Sequence, residues 1–423
     1  MNFDRMREVI LDKAVRGELV SQLAEDGVVA QIGNTPKEEL FQIPKSWKWC
    51  SLNMVAQVIA GQSPKGTALT TDSNDTEFHQ GKTFFGRQYI QNSGAYTNEP
   101  TKIAPKESIL LSVRAPVGAV NLTDRKICIG RGLFAIVPND QLLVKFLYFV
   151  LLTKARELQS KSTGTTFKAV TGKVVRDLYV PVPPLKEQAR IVDKVSDALE
   201  EIDRAEKAYE ELQTLAGVLR GQILQEAIKG KLVPQLAEEG VVEHIGAAPD
   251  EVPFEIPESW QWVQLNRICT LKSGVDMSPS VLLNEPVVDS IPYITGGSQI
   301  GQSGELLITR WTSKATNISE KGDVLLICKG SGLGRTALNS YGSVHIARQI
   351  MAIRKTKEAI PQYLDLLLKW RWESLRSAAK GVIPGISRKD VLSLLVPLPP
   401  VTEQVRIVAK VDDLLKQVNA LSA

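Results

Sequence analysis

The feature that most limits what this chain can fold into is that it contains much of itself twice. Ile10-Leu11 through Gly17 corresponds to Ile223-Leu224 through Gly230, 213 residues further on, and the register continues without a gap. Leu23-Ala24-Glu25-Asp26-Gly27-Val28-Val29 pairs with Leu236-Ala237-Glu238-Glu239-Gly240-Val241-Val242. Ile43-Pro44-Lys45-Ser46-Trp47-Lys48-Trp49 pairs with Ile256-Pro257-Glu258-Ser259-Trp260-Gln261-Trp262. A second block recurs 216 residues on: Val180-Pro181-Val182-Pro183-Pro184 returns as Val396-Pro397-Leu398-Pro399-Pro400. Glu187-Gln188 then returns as Glu403-Gln404, and Arg190-Ile191-Val192 as Arg406-Ile407-Val408. One supersecondary plan is therefore built twice.

From Pro183 to about Gly230 the spacing predicts a single long helix. Prolines and Glu187 open it, and Lys229 followed by Gly230 closes it. Val192, Val195, Leu199, Ile202, Tyr209, Leu212, Leu215, Leu219 and Ile223 recur mostly three or four apart. That is near-heptad spacing, which calls for a partner helix. Some forty residues make a rod of roughly 60 Å. Phe3 to Gly17 resembles the second half of this helix, with a cap signal at its end and no convincing one at its start. The segment from Pro400 resembles the first half, with Val408, Val411, Leu415 and Val418 on one face. Together the two ends make one further copy of the central helix, cut open where the chain starts and stops. The expected division is a half-helix over 1–24, a domain over 41–184, a spacer helix over 185–230, a second domain over 254–400 and a half-helix over 401–423.

Ser108-Ile109-Leu110-Leu111-Ser112-Val113 and Asp323-Val324-Leu325-Leu326-Ile327-Cys328 read as strands, each entering a glycine-bearing loop. A helical run follows in each domain, Leu142 to Leu158 and Tyr363 to Leu375. The expected fold class is α/β (α+β): two globular domains with mainly antiparallel sheets, separated by a long antiparallel coiled coil, in a pseudo-two-fold repeat.

Composition excludes little. The 423 residues carry a net charge of +4 from 51 basic and 47 acidic residues, a weak hint of a polyanionic partner. No apolar run approaches a membrane span, and the first residues lack the apolar core of a signal peptide, so the expected location is the cytoplasm without membrane contact. Cys50, Cys128, Cys269 and Cys328 are scattered, as are His79, His244 and His345, so no metal site is expected. Gly81-Lys82-Thr83 lacks the upstream glycine of a phosphate loop, with Thr76 in its place. Gly330-Ser331-Gly332-Leu333-Gly334 lacks dinucleotide-fingerprint spacing. Nucleophile elbows, HExxH and the tetrapeptides of amino-methyltransferases are not found, so no catalytic residue is expected.

What remains is cations near turns. These are Arg87, Arg114, Arg131, Lys168 and Lys173 in the first domain, and Arg310, Lys329, Arg335, Arg348, Arg388 and Lys389 in the second. Arginine bonds guanine bidentately, and both residue types neutralise phosphate. Arg131 and Arg348, flanked by apolar residues, have the alternative role of anchoring a turn. Taken alone, the residues leave two readings open, a nucleic-acid reader and a coiled-coil adaptor that binds proteins through two domains.

Two differing domains, terminal half-helices and the Pro-Pro-x-x-Glu-Gln-x-x-Ile-Val helix start at Pro183 and Pro399 resemble the specificity subunit of a type I restriction–modification system. Gly61-Gln62-Ser63-Pro64, Arg114-Ala115-Pro116-Val117-Gly118 and Ile129-Gly130-Arg131-Gly132 look like landmarks of that family's target-recognition domains. The second domain departs at the Arg-Ala-Pro position, with Lys329-Gly330-Ser331. The resemblance implies a non-catalytic reader of double-stranded DNA, each domain taking half of a split asymmetric site. It implies two methyltransferase subunits and two translocating nuclease subunits as partners, which would hold S-adenosylmethionine, ATP and Mg themselves. The helix-start residues Glu187, Gln188, Glu403 and Gln404, with Val192, Val195, Leu199, Ile202, Val408 and Val411, are then expected at the coiled coil and subunit-docking surface.

Overall fold

The computed structural model describes residues 2–30, 33, 36, 40–162, 169–246, 249, 251–301, 304–330, 332–372, 375 and 385–421. It resolves into two compact units, Met1–Ala208 and Tyr209–Ala423. The central helix, Leu185–Ile228, gives its first part to one unit and its remainder to the other. The two prolines precede that helix rather than entering its first turn. After Ile228 the chain is turned by Gly230 at φ 73°, in the left-handed region, as Gly17 at φ 74° turns it after the N-terminal helix Phe3–Arg16. A Cβ at either glycine would lie 2.4–2.5 Å from a proline ring, Pro44 or Pro257, so conformation and space both select glycine. The N-terminal helix does have a start signal, which the sequence reading overlooked: the Asn2 side chain accepts from the Arg5 N–H at 2.9 Å.

Each unit pairs a terminal helix with its own part of the central one. In the first, Arg7 meets Asp203 and Glu206, while Gln22 donates to Glu187 at 2.6 Å, so the two segments run antiparallel. Ala14 and Val15 pack with Ile191, Val192 and Val195, and Leu199 joins them. In the second, the C-terminal helix Val401–Leu421 runs antiparallel to the other part. Arg220 donates to Asn419 at 2.8 Å, and Gln235 to Glu403 at 2.6 Å. Ala216, Ile223 and Ala227 pack with Ile407, Val411 and Val418, and Val408 packs alongside. Ile202 is half-buried. The expected seam breaks in the middle, where Leu212, Leu215 and Leu219 are 37%, 63% and 38% exposed.

The domains share one plan. A four-stranded antiparallel sheet takes the order Ala56–Ala60, Leu133–Pro138, Ile109–Ser112, Val120–Leu122 in the first unit. In the second the order is Cys269–Ser273, Ile350–Lys355, Val324–Ile327, Thr336–Leu338. Its strands alternate between two cores. Ile109, Leu111, Phe134 and Ile136 face the helices, while Leu110, Leu133 and Ala135 face a second sheet. That second sheet holds one parallel pairing per unit, Thr76–His79 beside Ile127–Ile129 and Ile291–Ile294 beside Val344–Ile346. A two-stranded ribbon closes each domain, Lys48–Ser51 on Tyr179–Val182 and Gln261–Gln264 on Leu395–Leu398.

Glu187, Gln188, Glu403 and Gln404 are only 1%, 0%, 1% and 0% exposed. Expected at a coil seam or a docking surface, they are instead consumed inside their own units. Gln188 Nε2 donates to the carbonyls of Gln141 and Pro183, both at 2.8 Å, and its Oε1 accepts from Leu143 N–H at 2.8 Å. Gln404 repeats this with the carbonyls of Glu358 and Pro399 and the N–H of Ile360. Leu143 and Ile360 are the N-cap residues of the domain helices Val144–Thr153 and Pro361–Trp370. No described helix is long and apolar enough to cross a membrane.

Replacing Gln188 by Ala deletes three hydrogen bonds and strands buried main-chain groups. The expected loss is about 3 kcal/mol, with the same for Gln404→Ala. Arg5→Ala, which breaks an exposed pair with Glu8, should cost under about 0.5 kcal/mol. Urea unfolding midpoints check all three.

Candidate nucleic-acid interface

Four loops meet at one end of the four-stranded sheet, tied by main-chain hydrogen bonds. In the first unit Gly61 N–H donates to Leu133 O at 3.0 Å, and Gln62 N–H to Ile129 O at 2.9 Å. Val113 N–H donates to Gly132 O, and Val170 N–H to Val113 O, both at 3.0 Å. The second unit repeats the set. Gly274 donates to Ile350, Val275 to Ile346, Cys328 to Gln349 and Ile386 to Cys328, at 2.8–3.0 Å. A Cβ on Gly61 would stand 2.2 Å from Gly130 O, and one on Gly274 2.2 Å from Ala347 O. These two glycines let one loop lie against another's carbonyls, an approach that any larger residue blocks.

Several expected cations gather on these loops. Arg114, Arg131 and Lys173 are exposed there in the first unit, as are Lys329, Arg348, Arg388 and Lys389 in the second. Arg114 and Lys329 occupy matching places, each bridged through its main chain to the fourth loop, at Ala169 and Gly385. Lys173 and Lys389 sit in short helices capped by Thr171 and Ser387. Arg348 pairs with Asp276 at 2.9 Å, but both side chains are largely exposed, so the pair is weak and exchangeable. The turn at Arg131 is anchored by main chain, while at Arg348 the main-chain N–H and the guanidinium both meet the Asp276 carboxylate. Gly130 N–H donates to His79 O at 2.8 Å, and Arg348 N–H to Asp276 Oδ1 at 3.1 Å.

The other cations lie elsewhere. Arg87 is ion-paired to Asp203 of the central helix, so part of its charge is spent on holding its domain to that helix. Arg335 is exposed on the hairpin after Lys329. Arg310 is exposed, while its carbonyl accepts from Tyr293 N–H at 2.8 Å at the edge of the mixed sheet. Lys168 and Ser331 fall outside the described residues.

Beneath the first junction is a buried polar trio that the sequence reading missed. Glu77 accepts from Arg125 Nε at 2.7 Å and Nη2 at 2.9 Å, from Ser93 N–H at 2.9 Å, and lies 2.7 Å from His79 Nε2. Burial alone would raise the Glu77 carboxyl, yet the bonds from Arg125, Ser93 and His79 outweigh it and hold it below the ordinary carboxylate range. Burial pushes the His79 imidazole down against the opposing pull of Glu77, and the Arg125 charge adds to the lowering. Glu77 and His79 alternate on one strand and face a partner 48 residues away, a pairing with no local signal. All four cysteines are buried, and no cluster of three potential metal ligands occurs among the described residues.

The paired domains, carried on antiparallel helix pairs and tipped by matching cationic loop junctions, define a tandem-repeat protein of two like domains. Residues 44–214 and 257–423 match the model of the type I restriction modification DNA specificity domain, and the chain belongs to that family. It is 37% identical over 203 residues to a putative type I restriction enzyme MjaX specificity subunit of Methanocaldococcus jannaschii, covering 47% of each chain. It is 22% identical over 552 aligned positions to the type I restriction enzyme EcoAI specificity subunit of Escherichia coli, covering 99% of this chain and 90% of that one. The match spans about half the length of the first of these relatives. Among solved structures, a chain from work on complex assembly and conformational transition of the type I R–M system aligns with TM-score 0.71 and 22% identity, covering 90% of this chain and 93% of that one. The HsdS subunit of Thermoanaerobacter tengcongensis aligns with TM-score 0.58 and 22% identity, covering 91% and 93%. At that identity, the likeness is one of fold.

Gly61→Ala and Gly274→Ala should each cost about 2 kcal/mol of stability. Gly66→Ala, into open space, should cost under about 0.5 kcal/mol in a urea titration. The acid trio sets a second expectation. Both Glu77 and His79 titrate lower folded than unfolded, so the native state binds fewer protons and stability is lost as the pH is lowered. For His79 the loss begins below its unfolded value of about 6.5. Thermal melts at about pH 7 and about pH 5.5 should show a smaller drop for His79→Gln than for the parent protein.

Proposed function

We propose that this chain is the DNA-recognition subunit of a type I restriction–modification complex. Each unit reads one half of a split, asymmetric site in double-stranded DNA, and the central helix sets the unread gap. The observation that carries this is the loop junction built twice on one scaffold, with Arg114, Arg131 and Lys173 exposed on one copy and Lys329, Arg348 and Lys389 on the other. A shared frame with differing tips suits two readers of different half-sites. The chain itself is non-catalytic. Two methyltransferase subunits bind it and supply S-adenosylmethionine chemistry, and two translocating nuclease subunits supply ATP- and Mg-dependent restriction. Family membership supports each of these assignments. The exposed middle of the central helix, at Leu212, Leu215 and Leu219, is apolar surface suited to such a partner.

Phosphate neutralisation by about six such cations predicts a log–log salt dependence of DNA affinity with a slope near −5. Binding measured across a salt series checks it, and an affinity indifferent to salt would favour a protein partner instead. Exchanging residues 41–184 for the corresponding domain of a relative should change one half of the sequence methylated by the assembled complex. A change in both halves would refute one reader per half.

A further inference from the structure

Gln80 follows the strand Thr76–His79 and emerges, exposed, at the loop junction of the first unit. Its side chain lies against the backbone of the Gly130-Arg131-Gly132 turn: a Cβ on Gly130 would stand 2.6 Å from Gln80 Oε1. Gly132 N–H donates to the Gln80 carbonyl at 3.1 Å. Ser63 Oγ donates to Gln80 Oε1 at 2.8 Å. Among the described residues its Nε2 has no hydrogen-bond partner.

The second unit has a glutamine at the same junction, but not at the same position of the repeat. Ala347 N–H donates to Ile294 O as Gly130 N–H does to His79 O, so Thr295 corresponds to Gln80 and Gln349 to Gly132. Thr295 turns its hydroxyl inward to Gln299 at 2.7 Å. The Gln349 side chain lies at the junction instead. A Cβ on Gly296 would stand 2.4 Å from its Oε1, and one on Gly330 3.4 Å from it. Its amide likewise has no hydrogen-bond partner among the described residues. In unit one, then, glutamine faces glycine across the junction, and in unit two the sides are exchanged. A scaffold copied by duplication repeats residues at repeated positions, as Gln188 and Gln404 do. A group delivered to the junction from two different segments answers to what the junction contacts.

We propose that Gln80 and Gln349 are base-reading side chains that recognise adenine, one in each half-site; this rests on the DNA-recognition reading above. A carboxamide presents a donor and an acceptor in one plane, matching the N7 acceptor and N6 donor of adenine in the major groove, where guanine presents two acceptors. The Ser63 hydroxyl uses one lone pair of Gln80 Oε1 and leaves the other for the adenine amino group. Arg131 and Arg348, one residue from the glutamines' neighbours in each turn, supply the phosphate contacts that hold register.

The test selects binding sites from randomised duplex DNA with the full chain assembled with its methyltransferase subunits. Gln80→Ala should lose adenine preference roughly ten- to a hundred-fold at a single position of one half-site, leaving the other half unchanged. Gln349→Ala should do the same in the other half. Gln80→Glu should move that position toward cytosine, whose amino group a carboxylate accepts. Base-preference profiles unchanged in both alanine variants would overturn the inference. So would a normally melting Gln80→Ala protein that loses all DNA affinity, because one base contact does not carry the phosphate-borne part. A parent protein that selects no sequence at all would instead overturn the DNA-recognition reading itself.

Discussion

The rest of the structure depends on one buried amide, made twice. Gln188 and Gln404 each satisfy two carbonyls and one N–H where a domain ends and a helix begins. A buried carboxamide with three bonds admits little movement, because breaking any of them strands a main-chain group in an apolar surround. The helix is thereby fixed to its domain in direction as well as position. The same side chain holds the first residue of the domain helix, and that helix packs on the four-stranded sheet whose far end carries the loop junction. Orientation passes from helix to loops through rigid elements.

Around that joint the duplication repeats several contacts while the sequence drifts. Arg190 clamps Asp26 with two bonds, and Arg406 does the same to Glu239. Trp47 and Trp260 are buried beside the matching Gly17 and Gly230 turns. Away from it the copies part: among the described residues five strands form the second sheet of one unit and four that of the other. The joint tolerates this because it touches only the proximal core. The loops are constrained to one another by main-chain bonds, which any side chain satisfies, and by glycine at 61 and 274, which no other residue replaces.

Repetition is why so much of the fold was legible in the sequence. The helices, the paired strands Ile109–Ser112 and Val324–Ile327 and the capping glycines all carry local patterns that occur twice. The role of Gln188 was not legible, because its partners are backbone atoms some 45 residues away and have no side-chain identity. Arg87 was grouped with the loop cations because charge beside a turn looks alike wherever the turn points, and the fold turns this one onto Asp203. Gln80 and Gln349 left no trace, since comparing the copies position by position sets glutamine against threonine in one place and against glycine in the other.

The closing ribbons have a mechanical consequence. In each, the chain enters and leaves at the same end, with Lys48 opposite Val182 and Gln261 opposite Leu398. Tension drawn between the entering and leaving strands therefore peels the ribbon open one pair at a time, instead of shearing all its bonds together.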